Sequence, residues 1–124
     1  MLGNQDVVAN VAVKNLEVAA NFYGNTLGLK QVHNQAGELI VFKSGSSLLN
    51  VYRSEFAGTN KATAVTWTVS DVQGTVKELK AKGVTFEHYD MPGLKLEGDV
   101  HVGGDMSVAW FRDPDGNILN VVSH

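Results

Sequence analysis

The chain has 124 residues, which fits one domain with a core of its own. A composition of 44% hydrophobic and 19% charged residues is typical of a globular protein and excludes a disordered one. The net charge is −3 and the ten basic residues are scattered, so neither nucleic acid nor an anionic membrane is an expected partner. The absence of cysteine excludes disulfides, thiolate metal sites and a cysteine nucleophile.

The first six residues contain neither a basic stretch nor an apolar run, so they do not resemble a signal peptide. No apolar run approaches the ~20 residues that a membrane-spanning helix needs. We therefore expect a soluble, cytoplasmic protein.

The first half of the chain predicts one strand, one helix and three further strands. The helix begins at Asn15 as N-cap, has apolar residues at i, i+3 and i+4 spacing, and ends at Gly28. A hairpin turn is expected at Gly45-Ser46. The predicted strands span 6–13, 29–33, 38–43 and 47–53.

The second half predicts the same order of elements after a polar linker at 55–61. Its helix spans 71–82 and is closed by Gly83, as the first is by Gly28. The segment Asp113-Pro114-Asp115-Gly116 is a strong turn signal before the last strand. The predicted strands span 62–69, 84–88, 106–112 and 117–122.

The two halves are an internal repeat. Val13 and Val69 occupy equivalent places 56 residues apart, and the tripeptide Leu-Asn-Val recurs 70 residues apart, beginning at Leu49 and Leu119. The longer spacing fits an insertion in the glycine-rich stretch 89–105. We predict an α+β fold of two tandem βαβββ modules, about 5–54 and 62–124, in a single domain. Their strands form a cupped, partly open mixed sheet with the helices outside.

Three motifs carry a family resemblance that covers nearly the whole chain. The stretch from Trp110 to Asn117 resembles the final hairpin of the vicinal oxygen chelate superfamily, which includes glyoxalases, bleomycin-resistance proteins and dioxygenases. The stretches 22–29 and 69–84 resemble its two helices. These motifs make turns and helix packing, so they specify the fold and not the chemistry.

The resemblance also implies where a metal would be held. Metal-dependent members use side chains of the first and last strands of each half. The matching positions here are Val8, Asn50, Ala64 and Asn120. Two alkyl groups and two neutral amides hold divalent cations poorly, so we predict no metal site and no cofactor.

Strand alternation predicts what lines the cavity instead. The lining combines apolar walls with a few hydrogen-bonding groups, which suits a flat or apolar small molecule. Alternatively, Asn50 and Asn120 only satisfy each other or the sheet. The predicted ligand-binding residues are Val8, Asn10, Leu48, Asn50, Tyr52, Ala64, Thr66, Thr68, Trp110 and Asn120.

Acid–base chemistry has two candidates, Tyr52 and His101. His101 lies in the 89–105 insertion, which is either a lid or a plain loop, and we favour a solvated loop histidine over a general base. His33 and His88 are expected at exposed strand ends, and His124 at a frayed terminus.

The leading hypothesis is a metal-free protein that sequesters or carries a small apolar or aromatic ligand. The alternative is a lyase or isomerase of the glyoxalase type with a non-standard site. A third possibility is a purely structural or regulatory interaction module. The resemblance further implies a homodimer. The sequence does not identify the ligand.

Overall fold

The computed structural model describes residues 1–123, so His124 and its predicted fraying lie outside the described residues. The chain divides into two compact units, the first spanning Met1–Ala57 and the second beginning at Gly58. Each unit has its own helix and its own mixed sheet, which confirms the predicted α+β class. Within residues 1–123, no helix combines the length and apolar character needed to cross a membrane.

The first unit follows the predicted order of strand, helix and three strands. Its sheet has the order β1-β4-β3-β2, with β1 parallel to β4 and the other neighbours antiparallel. A short 3-10 turn, Leu2–Asn4, precedes β1. The elements are β1 (Ala9–Val13), α1 (Leu16–Ala20), β2 (Lys30–Gln35), β3 (Leu39–Ser44) and β4 (Ser47–Arg53).

Helix α1 begins as predicted and changes geometry halfway. The side-chain oxygen of Asn15 accepts hydrogen bonds from the backbone N–H groups of Glu17 and Val18, at 2.9 and 3.1 Å, which confirms it as the N-cap. The predicted α-helix to position 27 is wrong beyond Ala20, because Asn21–Thr26 form a π-helical segment. This wider turn places the rings of Phe22 and Tyr23 in edge-to-face contact, with Tyr23 fully buried.

The second unit repeats this arrangement with additions. Strand β5 lies parallel to β10, and β10 pairs antiparallel with β9. The side chain of Asp71 caps α2 by accepting from the N–H of Gly74 at 3.0 Å. The elements are β5 (Thr63–Thr68), α2 (Val72–Ala81), β6 (Phe86–Glu87), β7 (Lys95–Glu97), β8 (Val100–Gly103), β9 (Met106–Arg112) and β10 (Ile118–Ser123).

The additions come from one interrupted strand. Strands β6 and β8 pair with the same partner, β9, along successive parts of its length. Together they take the place that β2 has beside β3 in the first unit. The segment between them, His88–Asp99, does not pair with β9 and includes the edge strand β7; we call this segment the excursion.

The expectation that the glycine-rich insertion 89–105 is a lid or a plain loop is therefore wrong in its second half, which contains two strands. Strands β7 and β8 form a hairpin that extends the sheet. Gly98 supplies the turn with a φ of 64°, a conformation that favours glycine. The many glycines hid an alternating strand pattern around His101.

The helix-facing side of each sheet forms a core. In the first unit Val11, Val13 and Val51 are buried on this side, as the strand parity predicts. In the second, Phe111 is fully buried, with Trp67 stacked at 6.5 Å between centroids and Phe86 edge-on at 5.5 Å. Phe111 is thereby a core residue of the second unit.

Candidate functional site

The sheet face opposite the helix, here called the inner face, carries predicted ligand-binding residues in each unit, while Val8 precedes β1 and Ala64 lies at a register shift in β5. In the first unit Asn10 and Asn50 are register partners on parallel strands. The amide of Asn50 donates to the side-chain oxygen of Asn10 at 3.3 Å, and the amide of Asn10 donates to the carbonyl of Val8 at 3.4 Å. Both polar groups thus have partners within this face.

The first inner face is open around this amide pair. Val8, Leu48 and Tyr52 are 39%, 40% and 39% exposed. Apolar side chains therefore flank a small, internally hydrogen-bonded polar centre. Tyr52 adds a phenol ring at the edge of the surface.

The second unit places an equivalent pair in the same register. Thr66 on β5 lies beside Asn120 on β10, as Asn10 lies beside Asn50. Ala64, Thr66 and Thr68 are exposed, whereas Asn120 is only 9% exposed. The side-chain oxygen of Asn120 is buried and accepts no hydrogen bond from any residue of the described chain.

Trp110 lies directly across from Asn120 on β9, so the two side chains share the inner face. The indole N–H of Trp110 donates to the hydroxyl of Thr63 at 3.1 Å. Trp110 is buried in a cluster with Val108 and Ile118. The partly buried side chains of Tyr89, Leu94, Met106 and Val122 pack against this cluster.

Two of these covering residues, Tyr89 and Leu94, belong to the excursion. The ring of Tyr89 stands edge-on to Trp110, with 5.2 Å between centroids and 75° between planes. The second inner face is therefore covered around Trp110, whereas Thr66 and Thr68 on its β5 side stay exposed. The insertion accounts for this cover, which distinguishes two otherwise repeated faces.

His101 lies on this covered face and is 1% exposed, so the expectation of a solvated loop histidine is wrong. Strand β8 turns its ring toward Trp110, at 5.0 Å between centroids. Its Nε2 accepts a hydrogen bond from the backbone N–H of Tyr89 at 3.0 Å. A neutral ring that accepts at Nε2 carries its proton on Nδ1, for which the described residues provide no acceptor.

Ion pairs hold the base of the excursion. The carboxylate of Asp99 contacts Nε2 of His88 at 2.8 Å and Nζ of Lys80 at 2.6 Å. Hydrogen bonds from Lys80 and then His88 lower the pKa of Asp99 below its ordinary value, against the opposing effect of burial. His33 and His88 are exposed, as predicted, but the ion pair of His88 was not foreseen.

A second ion pair joins Glu87, at the end of β6, to Arg112. The hydrogen bond from Arg112 to Glu87 is the main reason that the pKa of Arg112 is raised above its ordinary value. The excursion therefore begins next to a charge pair that spans β6 and β9.

Comparison with known proteins places this fold in a family. A model of the Glyoxalase/Bleomycin resistance protein/Dioxygenase superfamily matches residues 5–121. The chain belongs to this superfamily. The family resemblance of the three sequence motifs is thereby confirmed. No curated protein matches the chain.

Solved structures share the superfamily fold at low sequence identity. A lactoylglutathione lyase from Agrobacterium tumefaciens is 19% identical over 97% of this chain and 93% of its own, with a TM-score of 0.72. TnmS3, an antibiotic binding protein from Streptomyces sp. CB03234, is 20% identical over 94% and 92%, with a TM-score of 0.66. A superfamily protein from Alicyclobacillus acidocaldarius is 19% identical over 98% and 92%, with a TM-score of 0.71. At such identities the likeness shows the fold alone.

The residues at the four positions where the family resemblance predicts metal ligands do not fit a metal. Val8 and Ala64 have no donor atom, and the amide of Asn50 is engaged with Asn10. Asn120 offers one neutral oxygen. Among residues 1–123, no three His, Cys, Asp or Glu side chains are grouped so that they could hold an ion. No reaction step is therefore assigned to a metal.

Two clefts of the described chain lie away from the predicted residues. One of about 600 Å³ opens in the first unit at the start of α1, beside Asn15, Asn34 and Arg53. One of about 530 Å³ opens in the second unit at the start of α2, beside Asp71, Lys77 and Asp99. Neither includes a residue that the sequence assigned to the ligand.

Proposed function

We propose that this protein binds small, flat and mainly apolar molecules at its inner faces, and sequesters or carries them without a metal. The observation that carries the proposal is the lack of any charged side chain at the four predicted metal positions, Val8, Asn50, Ala64 and Asn120. Two of these positions hold the neutral amides Asn50 and Asn120, and each amide has an uncharged polar register partner, Asn10 or Thr66, with apolar side chains nearby. Such a surface recognises shape and a few hydrogen bonds rather than an anionic or metal-chelating group.

The ligand-binding residues remain those that strand parity assigned. Val8, Leu48 and Tyr52 supply apolar contact on the first face, and Trp110 supplies it on the second. TnmS3 has the same fold and is an antibiotic binding protein, which supports binding as an activity of this architecture. We also expect a homodimer in the cytoplasm.

The alternative is a glyoxalase-type lyase or isomerase that uses Tyr52 and His101. The buried imidazole of His101 is the observation in its favour. Its hydrogen bond leaves Nδ1 protonated, so this atom donates and does not accept a proton. A general base at His101 would first have to give up its bond to Tyr89, which favours binding over catalysis.

A thermal-shift screen of aromatic and glycopeptide compounds tests the proposal. A ligand at 100 times its dissociation constant adds about 2.7 kcal/mol to the free energy of unfolding. We expect at least one flat aromatic compound to raise the melting temperature of the full chain. Tyr52→Ala should reduce that rise, whereas Phe56→Ala, at a residue 70% exposed in the linker, should leave it unchanged. A screen in which no compound stabilises the protein would count against a binding function.

A further inference from the structure

We infer that the second inner face is a recognition pocket covered by the excursion, and that its occupant is a planar aromatic molecule carrying an N–H or O–H donor. The donor is recognised by the side-chain oxygen of Asn120, and the aromatic body replaces Tyr89 beside Trp110. This inference rests on the proposed function and names the chemical class of its ligand.

The amides of Asn50 and Asn120 occupy equivalent places in the two units but differ in their hydrogen bonds. Asn50 is bonded to Asn10 within its own face. Asn120 has Thr66 in the corresponding place, and its Oδ1 accepts from no described residue although it is buried. A buried acceptor without a donor destabilises a folded protein, so such an atom calls for an explanation. A ligand that donates to it supplies one.

The surface beside this oxygen is aromatic. Trp110 is the cross-strand partner of Asn120, and its own N–H is used by Thr63. Its ring therefore offers apolar contact without a competing donor. Tyr89 already makes an aromatic contact with this ring, so the protein itself shows what kind of group fits there.

The excursion is attached to the rest of the unit at its base and over the pocket by different contacts. The excursion is fixed at its base by Asp99, but Lys80 and His88 are about half exposed, with side chains 55% and 50% accessible. Over the pocket it is held by the Tyr89–His101 hydrogen bond and by the packing of Tyr89 and Leu94. Displacing this short stretch uncovers Trp110 and leaves the base in place.

The polarity of the ligand follows from the chemistry of the Asn120 oxygen. An amide oxygen only accepts hydrogen bonds, so an ether or a ketone cannot satisfy it. A phenol, an indole or an aromatic amine can. A site with an unpaired acceptor discriminates strongly against an analogue that lacks the donor.

The experiment compares 1-naphthol with 1-methoxynaphthalene, which share a ring system and differ in the donor. Their dissociation constants are measured by calorimetry on the full chain, in the natural protein and in Asn120→Leu. We expect the natural protein to bind 1-naphthol at least tenfold more tightly and Asn120→Leu to bind the two compounds equally. Asn25→Leu, at an exposed asparagine in the first unit, should keep the preference.

Two further measurements test the roles of the side-chain oxygen of Asn120 and of the covering ring of Tyr89. Without ligand, Asn120→Leu should melt no lower than the natural protein, because it removes an unpaired acceptor; a lower melting temperature would show a structural amide and overturn the inference. Tyr89→Ala should bind 1-naphthol more tightly, because the ligand no longer displaces that ring. Weaker binding would make Tyr89 a wall of the site and not its cover.

The outcomes separate this inference from the proposed function. Equal binding of the two compounds to the natural protein, or a preference retained by Asn120→Leu, overturns the inference and leaves a binding function standing. Failure of both compounds to bind, together with a thermal-shift screen without hits, overturns both.

Discussion

Asp99 is the residue that joins the excursion to helix α2, and its charge sets a pH dependence. Its lowered pKa means that its contribution to stability is present above the ordinary value of 3.8 and is lost as the pH falls through the folded-state pKa. We expect Asp99→Asn to lower the free energy of unfolding at pH 7 by about 1 kcal/mol, since both partners are half exposed. Urea denaturation should show the difference from the natural protein narrowing below pH 3.8.

Glu97→Gln is the matched control, because Glu97 is an exposed carboxylate two residues earlier on β7. Its unfolding free energy should follow the natural protein at every pH. A loss in Asp99→Asn that stays constant down to pH 2 would show that the ion pairs are not its origin.

Asp113 organises the turn between β9 and β10 with a buried carboxylate. One oxygen accepts from the backbone N–H groups of Asp115 and Asn117, and the other from the side-chain amide of Asn117 at 2.8 Å. Asp113→Ala leaves these donors without their acceptor, and we expect it to cost about 2–3 kcal/mol. Chemical denaturation measures this, with Asp105→Ala in an exposed turn expected within about 0.5 kcal/mol of the natural protein. Equal losses in the two variants would contradict the role given to Asp113.

At the residue scale, the sequence predicted where residues lie along the strands better than it predicted their burial and their hydrogen bonds. The repeat placed Asn50 and Asn120 correctly, because register follows from spacing along paired strands. It did not predict that the amide of Asn50 has a side-chain hydrogen-bond partner whereas the side-chain oxygen of Asn120 has none among the described residues. That difference depends on whether asparagine or threonine stands on the neighbouring strand. The burial of His101 was missed because its cover, Tyr89, comes from a segment with no regular period.

At the scale of elements, the excursion packs closely on strand β8. Gly103 of this strand lies against Gly93 and Leu94 of the excursion. A Cβ at this residue would lie 2.2 Å from the carbonyl oxygen of Gly93 and 2.7 Å from a methyl of Leu94. Gly103→Ala should therefore push Gly93 and Leu94 away from the sheet. We expect a lower melting temperature and a red-shifted tryptophan emission, because Trp110 loses part of its cover.

Gly3→Ala provides the comparison, since nothing lies within 4 Å of a Cβ there. It should change neither the melting temperature nor the emission. An unshifted emission in Gly103→Ala would show that the cover over Trp110 does not depend on this contact.

Helix starts and hairpin turns were predicted well because their signals are local. Asn15 and Asp71 act as N-caps, and Gly45 and Gly116 have the positive φ that their turns require. The π-helical segment and the split between β6 and β8 were not predictable in this way. Both depend on what the segment packs against, which hydrophobic periodicity does not encode.

At the scale of the whole molecule, duplication has produced two sheets of one design with different inner faces. The first exposes Val8, Leu48 and Tyr52, and the second is covered around Trp110 by residues of the excursion. A twelve-residue segment, His88–Asp99, accounts for the cover. The two repeats therefore share a frame but offer different surfaces to a ligand, which is why the family alone does not specify the function.

The side chains at the four predicted metal positions lead to a prediction about metal binding by the whole chain. An ion that binds the folded state and not the unfolded one raises stability by RT ln(1 + [L]/Kd), so a resident metal shows itself in the melting temperature. Because Val8, Ala64, Asn50 and Asn120 offer no charged donor, we expect zinc, nickel, manganese or iron(II) to leave the melting temperature unchanged. Elemental analysis of protein purified without chelator should find well below one equivalent of any of them. One equivalent of bound metal, removed by chelator with a fall in melting temperature, would reverse this conclusion and favour metal-assisted chemistry over metal-free binding.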